Sequence, residues 1–392
     1  MNKKYKDKSV ITLADVARHA GVSPTAASFV LSNGPLANKV SAQKRALILK
    51  AAQTLAYVPN QVAQALRRQR TETVGIIFPD FYADWAQRVM QGLDSVLDSH
   101  GYVPLIARDS WNPQRQHREI LSLVGRQVDG LILAAPMAEN LPLLRSTQEK
   151  GTPVLFFGET PTQNHSFSYV VWNEGQAVKL AAEYLFSLGH RKIWFINPGT
   201  VVTEHLSQSR ARVTAFEVFA RKLKHCTGFM GRIIHVSSGV TIGEKIADML
   251  TAEKEYPPDA ILASNDLLGR QIMEALESRG ITIPDQIALM GLCDHPISAS
   301  PSINLSSVHQ PLEEMAAAAG EAIVKMIAQP LTARLTLMFD ARKLCIRGST
   351  GGAGGSKGSR PHGDSRTIQS GCFSLRDYTG SGRDGKKFNN RS

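Results

Sequence analysis

Cysteine is scarce in this 392-residue chain: four residues, Cys226, Cys293, Cys345 and Cys372, stand in none of the short spacings that hold a metal. Their scatter excludes a disulfide-stapled secreted scaffold and suits a reduced, cytoplasmic protein. No apolar run reaches the roughly 18 residues of a membrane span, so no membrane partner is expected. The eleven histidines form no HExxH or comparable cluster, which leaves no metal and no cofactor to expect. The basic N-terminus leads into a helical pattern instead of the apolar stretch of a secretory leader.

Acids are missing from both ends. Residues 1–70 hold twelve Lys or Arg against two acids, Asp7 and Asp15, a net of +10. Residues 71–350 hold 25 basic and 29 acidic residues, a net of −4, and residues 351–392 hold eight and three, a net of +5. The formal charge of +11 therefore belongs to two terminal segments around a mildly acidic middle. A small, strongly basic unit suits phosphate binding through counterion release.

What is present points the same way. Residues 11–35, ITLADVARHAGVSPTAASFVLSNGP, read as two short helices joined by a tight turn. The first is expected over Leu13 to His19, with Val16 and Ala17 on its apolar side, and Gly21 supplies a turn that a residue without Cβ makes cheaply. Ser23 is a good N-cap and Pro24 a good first helical residue; the second helix runs to about Leu31, where Asn33-Gly34-Pro35 stops it. In a helix-turn-helix the start of the second helix meets base edges, which makes Pro24, Thr25, Ser28 and Phe29 candidate readers. A third helix is expected over Ala42 to Leu55, apolar at Ala46, Leu47, Leu49, Ala51 and Leu55, and ended by Tyr57-Val58-Pro59-Asn60.

LADVARHAGVS…ASFVLSNG, followed by AQTLAYVPNQVAQALRRQRTETVGIIFPD, resembles the LacI/GalR family of bacterial transcription regulators over roughly residues 10–350. The resemblance implies a DNA-binding headpiece, a hinge helix that forms on DNA, and a ligand-binding core that dimerises. It adds Thr12, Ser23, Asn60, Gln61 and Arg67 to the DNA contacts, with Leu66 as the residue that wedges into the minor groove and Ala63 at the close-packed position between paired hinge helices. The same basic segment reads equally as a flexible linker, disordered when free and helical when bound. The family usually carries Thr-Val-Ser-Arg in the recognition helix, where this chain has Ala26-Ala27-Ser28-Phe29. The missing arginine is a bidentate reader of guanine, so a different half-site, or a headpiece with degraded specificity, is expected.

From Thr73 strands and helices alternate. Strands are expected at Val74–Phe78, Val103–Ala107, Gly130–Ala134, Val154–Phe157, Ile193–Asn197, Ile233–Val236, Ala260–Ser264 and Ile287–Gly291. Helices are expected at Trp85–His100, Gln114–Gly125, Ala177–Leu188, Val213–Leu223, Gly243–Glu253 and Leu268–Ser278. Continuous apolar strands between amphipathic helices argue for parallel sheets covered on both faces, and about 280 residues exceed one comfortable core. The expected fold class is thus an α/β two-lobed core with parallel sheets and an all-α headpiece, and the core resembles the periplasmic binding proteins. The expected division is a basic arm at 1–9, headpiece at 10–58, hinge at 59–72, core at 73–350 and a disordered Gly/Ser-rich basic tail at 351–392. GGAGGSKGS in that tail lacks the ending of a phosphate loop, and the tail has no leucine heptad of the kind that joins dimers into tetramers.

Polar residues that follow strands are the ligand candidates: Asp80, Trp85, Asn173, Arg212, Asn265, Asp266 and Asp294. Trp85 could stack on a sugar face, and the resemblance supplies the roles of Arg212, Asn265, Asp266 and Asp294. Each also reads as a loop residue or helix cap, Asp266 above all. The expectation is a cytoplasmic homodimeric repressor of a pseudo-palindromic double-stranded operator, modulated by a small effector of the sugar class. A sugar-binding transport receptor would instead need a leader, and a sugar-active enzyme a paired-carboxylate site that the chain does not display.

Overall fold

The computed structural model describes residues 11–32, 35–60, 65, 68, 70–80, 84–161, 166–199, 207–225, 228–237, 242–329, 333–351 and 367–369. Its packing divides the chain into two units, residues 1–72 and 73–392. The hinge candidates Gln61, Ala63, Leu66 and Arg67 lie outside the described residues.

The first unit is built on capped helices. In α1 (Leu13–His19) the Thr12 hydroxyl accepts from the Asp15 amide at 3.3 Å and the Thr12 amide donates to Asp15 Oδ2 at 3.0 Å, closing a capping box. Gly21 takes φ +64° in the turn, and Ser23 caps α2 (Pro24–Leu31) by accepting from the Ala26 amide at 3.2 Å. Ser41 caps α3 (Ala42–Thr54). Ala17, Ala27, Val30 and Ile48 form the core, with Leu13, Ala20, Val22, Leu31 and Val40 packed around it. One expectation is corrected here: Leu47 and Leu49 are 48% and 51% exposed, while the buried stripe of α3 is Ile48 and Ala51. Successive helical residues are about 100° apart, so burying Ile48 turns both flanking leucines off the packed face.

The second unit alternates as the apolar periodicity requires. Its first lobe contains β1 (Thr73–Phe78), α4 (Asp84–Ser99), β2 (Val103–Arg108), α5 (Pro113–Gly125), β3 (Gly130–Leu133), α6 (Leu141–Glu149), β4 (Val154–Gly158) and β5 (Ser168–Trp172). The second lobe contains α7 (Glu174–Ser187), β6 (Lys192–Gly199), α8 (Ser207–Lys222), β7 (Met230–Ser237), α9 (Ile242–Ala252), β8 (Ala260–Ala263), α10 (Asp266–Glu277), β9 (Ala288–Cys293) and β10 (Ser306–His309). The chain then returns to the first lobe through α11 (Leu312–Ala328) and β11 (Thr336–Phe339), and ends in β12 (Lys343–Cys345) and β13 (Thr367–Gln369) of the second.

The sheet orders are β11-β5-β4-β3-β1-β2, parallel throughout, and β13-β12-β10-β9-β8-β6-β7, in which β12 alone runs against the other strands. The chain thus crosses between lobes three times: after β5, after β10 and after β11. Pure runs such as Val74 and Ile76–Phe78, or Ala260–Ala263, are buried on both faces, as parallel strands between helices demand.

Packing of α11 on α4 is unusually close. A methyl added at Gly92 would strike the Glu313 carbonyl oxygen, and the Arg88 guanidinium grips the Glu313 carboxylate at 2.6 and 2.9 Å.

The elements β5, α6, β10, α11 and β11–β13 go beyond the sequence expectation. Short, polar-edged strands such as SSVH at β10 carry little local signal, and partner strands define them. Within the segment expected as a disordered tail, β13 (Thr367–Gln369) pairs with β12, whose backbone would otherwise form a sheet edge.

Candidate functional site

In the headpiece the exposed start of α2 presents Ser23, Pro24 and Thr25, with Ser28 and Phe29 half-buried one turn later. Among the described residues, Phe29 stands outside the hydrophobic cluster that unites the three helices. Thr12 and Ser23 are both exposed and both engaged as caps, so each positions a helix start whatever else it touches. Asn60 is exposed at the end of the loop after α3. Arg68 is held to Glu72 at 2.7 Å, which leaves its charge at the headpiece but partly neutralised.

In the core, the carboxyl ends of the strands of both lobes converge. Charge interactions span them: Glu159 after β4 acts on Arg212 of α8, and Arg88 of α4 acts on Cys293 of β9. Most of the expected ligand residues stand at this convergence. Asp80 follows β1 and accepts from the Trp111 indole N–H at 3.2 Å. Trp85 is half-buried beside Gly158, edge-on to Phe78 with ring centres 5.9 Å apart. Asn173 caps α7, accepting from the Gln176 amide at 3.1 Å, and its own amide donates to Asp340 at 3.2 Å. Asn265 caps α10 by accepting from the Leu268 amide at 2.9 Å.

Arg212 is already partnered. Its Nε and Nη2 donate to the two Glu174 oxygens at 2.8 Å each, and its Nη1 donates to the Ser264 carbonyl at 3.2 Å. Burial alone would lower its pKa, but Glu174 raises it further above its already high value. A guanidinium has five N–H groups, so one on each terminal nitrogen is left for other acceptors.

Asp266 is engaged within the protein. It is 1% exposed, and both oxygens are taken inside the protein: Oδ2 by the His295 amide at 2.6 Å, Oδ1 by the Ser307 hydroxyl at 2.7 Å. Its position right after β8 is as expected, but the side chain turns inward to join β9, β10 and the loop after β9. Asp294 is likewise built into the protein: its oxygens accept from His309, Cys345 and Arg347, at 3.0, 3.1 and 2.6 Å. Burial would raise its pKa, yet those donors hold the carboxyl well below the usual carboxylate range. Burial and the neighbouring carboxylate push the Cys345 thiol up to about 12.

The inward carboxylate of Asp266 carries a pH signature. Burial raises its pKa from 3.8 to about 7, outweighing the hydrogen bonds that favour the charged form. Below 3.8 the group is protonated folded or unfolded; above about 7 the native state must hold a buried carboxylate. Its contribution to stability is therefore full in acid and falls as pH rises through that window, by about 1.4 kcal/mol per unit. Between pH 5 and 8 the wild type should lose about 3 kcal/mol relative to Asp266→Asn in urea unfolding. An offset between the two proteins that does not change with pH would mean the carboxyl is ionised throughout.

Three contributors escaped the sequence reading: Glu174, Trp111 and the buried network around Asp109. Asp109 accepts from the Trp111 amide at 2.9 Å and from Gln116 at 2.7 Å, and burial raises its pKa to about 6. Ser110 and Trp111 both hold φ at +56°, a costly conformation for non-glycine residues, and it turns the Trp111 indole toward Asp80. The signal that could have found Asp109 and Trp111 is their place just after β2, where polar and aromatic residues interrupt the apolar pattern; Glu174 follows β5.

A cavity of about 580 Å³ lies elsewhere, between α7 and α8, lined by Lys179, Arg210, Val218, Phe219 and Lys222 among others. None of the expected ligand residues lines it. Among the described residues one group, Asp294, His309 and Cys345, has metal-ligand chemistry within reach.

Residues 12–60 match the model of the family described as bacterial regulatory proteins, lacI family, and residues 182–350 match the periplasmic binding protein-like domain. The HTH-type transcriptional regulator PtxS of Pseudomonas plecoglossicida is 26% identical over 355 residues, covering 87% of this chain and 96% of that protein. Catabolite control protein A of Priestia megaterium is 26% identical over 323 residues, covering 80% and 92%. Among solved structures, the lac repressor dimer bound to operator and the anti-inducer ONPF is similar in fold, with TM-score 0.74, 19% identity and coverage of 87% of this chain and 99% of that one.

Proposed function

The chain belongs to the LacI family of bacterial regulatory proteins, and on that premise we propose that it is a transcriptional repressor whose operator affinity is set by a sugar-class effector bound between the core lobes. The observation that carries this reading is the pairing, in one chain, of a capped helix-turn-helix within a +10 segment and a two-lobed core with its polar strand ends convergent. Two headpieces of a homodimer would read half-sites of a pseudo-palindromic operator through Pro24, Thr25, Ser28 and Phe29, while Asn60, Gln61, Ala63, Leu66 and Arg67 serve the hinge. The chain acts on DNA in the cytoplasm and is a binding protein, not an enzyme. Its acids at the strand ends already serve protein donors in place of a reacting bond.

Asp80, Trp85, Trp111, Asn173 and Asn265 are the effector contacts of this reading, and the two indoles supply flat apolar faces for sugar C–H surfaces. With Arg212 neutralised by Glu174, the cleft suits an uncharged polyol better than a sugar acid. To switch occupancy the effector must bind the DNA-competent and released states unequally, a coupling of about 1–3 kcal/mol.

The test is selection of genomic DNA fragments with the full chain, then footprinting at physiological salt with and without a panel of neutral and acidic sugars. A protected pseudo-palindrome whose occupancy changes with a neutral sugar is the expected result. Salt-sensitive binding without any footprint would sink the repressor reading and leave a sugar-binding core with degraded DNA specificity.

A further inference from the structure

In the second sheet β10 and its neighbour β12 end on an imidazole and a thiol, and a carboxylate directly follows β9 on the other side of β10. Asp294 Oδ2 lies 3.0 Å from His309 Nδ1 and 3.1 Å from Cys345 Sγ, and all three ligand atoms fall within 4.8 Å of one another. Asp294 and His309 are half-buried and Cys345 is buried, so the group is sheltered without being sealed.

The backbone goes out of its way to make this arrangement. Cys293 and Asp294 are consecutive non-glycine residues at φ +93° and +50°, and the Asp294 amide is pinned to the Ser307 hydroxyl at 3.0 Å. Together these fold the carboxylate back over the ends of β10 and β12. Arg347 grips the other oxygen, Oδ1, at 2.6 Å, and also donates to the Leu305 carbonyl at 2.7 Å. The guanidinium thus orients the carboxylate from outside and leaves Oδ2 facing the nitrogen and the sulfur, as outer partners of ligating carboxylates do.

We propose that Asp294, His309 and Cys345 bind one soft divalent cation of the zinc class per chain. Bond lengths of about 2.3 Å to sulfur and 2.0–2.2 Å to nitrogen and oxygen set tetrahedral edges of about 3.3–3.6 Å. The two separations to Oδ2 fall short of those edges by only a few tenths of an ångström, within reach of small side-chain rotations. One thiolate and one imidazole select zinc or cobalt over magnesium or calcium, which prefer all-oxygen shells. Three protein ligands leave a fourth position open to water or to a donor atom of a bound small molecule. On binding, bonds form from the metal to Oδ2, Nδ1 and Sγ, and the thiol proton leaves to solvent. The imidazole coordinates as a neutral ring with its hydrogen on Nε2, and no electron is transferred.

His309 immediately precedes the crossing at Gln310-Pro311, and Cys345 ends the strand that follows the crossing from β11. A cation here would tie together the roots of two of the three inter-lobe crossings.

The experiment titrates Co²⁺ into the full chain after chelator treatment and reduction, following thiolate-to-cobalt charge-transfer absorption, with Zn²⁺ as competitor. One Co²⁺ per chain, displaced by Zn²⁺, is expected. The band should vanish in Cys345→Ser, weaken at least tenfold in affinity in His309→Gln, and persist in Cys293→Ser, Cys226→Ser and Cys372→Ser. No charge-transfer band in the wild type, or an undiminished band in Cys345→Ser, would overturn the proposal. Should Cys345→Ser fail to fold, His309→Gln decides: unchanged Co²⁺ affinity there is equally fatal. A positive result stands whether or not the chain responds to sugars, because the readout needs neither DNA nor effector.

Discussion

Replacing Glu174 with alanine is expected to remove about 3–5 kcal/mol of folding stability, because it strands a buried guanidinium. The Arg212 and Glu174 side chains are only 18% and 6% exposed, so solvent does little to screen the pair. Without the carboxylate, Arg212 keeps the single Ser264 carbonyl contact. Glu174 is also the first residue of α7, where an acid favours the helix start, but that effect amounts to about 0.3–1 kcal/mol and cannot account for the loss. A domain is stable by only about 5–15 kcal/mol, so the variant should unfold at markedly lower urea. Removing the charge from both positions, in Glu174→Leu with Arg212→Leu, should recover most of the stability, since the desolvation cost of the ion pair disappears with it. A single-variant loss below about 1 kcal/mol would mean that water readily replaces the carboxylate. The same substitution uncovers a cation at the strand ends, so sugar acids should gain affinity in whatever fraction stays folded.

Operator affinity is expected to fall about a thousandfold when salt rises from roughly 50 to 200 mM. Lys39, Lys44 and Lys50 are exposed on each headpiece, whereas Arg18 and Arg68 are paired with Asp15 at 3.0 Å and Glu72 at 2.7 Å. From the described residues, two headpieces then bring roughly six phosphate contacts, for a slope of log affinity on log salt near −5. The mildly acidic middle of the chain adds nothing to this term. Fluorescence anisotropy with operator-length duplex measures the slope. Lys50→Ala should flatten it by about 2 per dimer without changing the preferred sequence. Phe29→Arg should do the reverse, changing sequence preference toward guanine by about 1–3 kcal/mol while moving the slope little. A slope shallower than about −2 would rule out phosphate contacts as the main source of affinity.

Much of the molecule was legible before any coordinates. Ser23, Pro24 and Gly21 mark the turn and the second headpiece helix because caps and turns depend on a few neighbouring residues, and the structure places both helices at the expected bounds. The strands from β1 to β9 announce themselves by apolar runs for the same local reason, except β5, whose SYVVW is brief and flanked by polar residues.

Side-chain direction was decided elsewhere. Asp266 could be placed after a strand from the sequence, but only the nearness of His295 and Ser307, 29 and 41 residues away, turns it inward. Glu174 looked like a bystander to Asn173 until α8 brought Arg212 against it. The thiol of Cys345 meets Asp294 only because β12 pairs with β10 and β10 with β9. Local composition determined this protein's elements, its charge division and its class. Strand pairing over long sequence separations, which no local pattern encodes, decided which of its polar groups hold each other and which remain for a ligand.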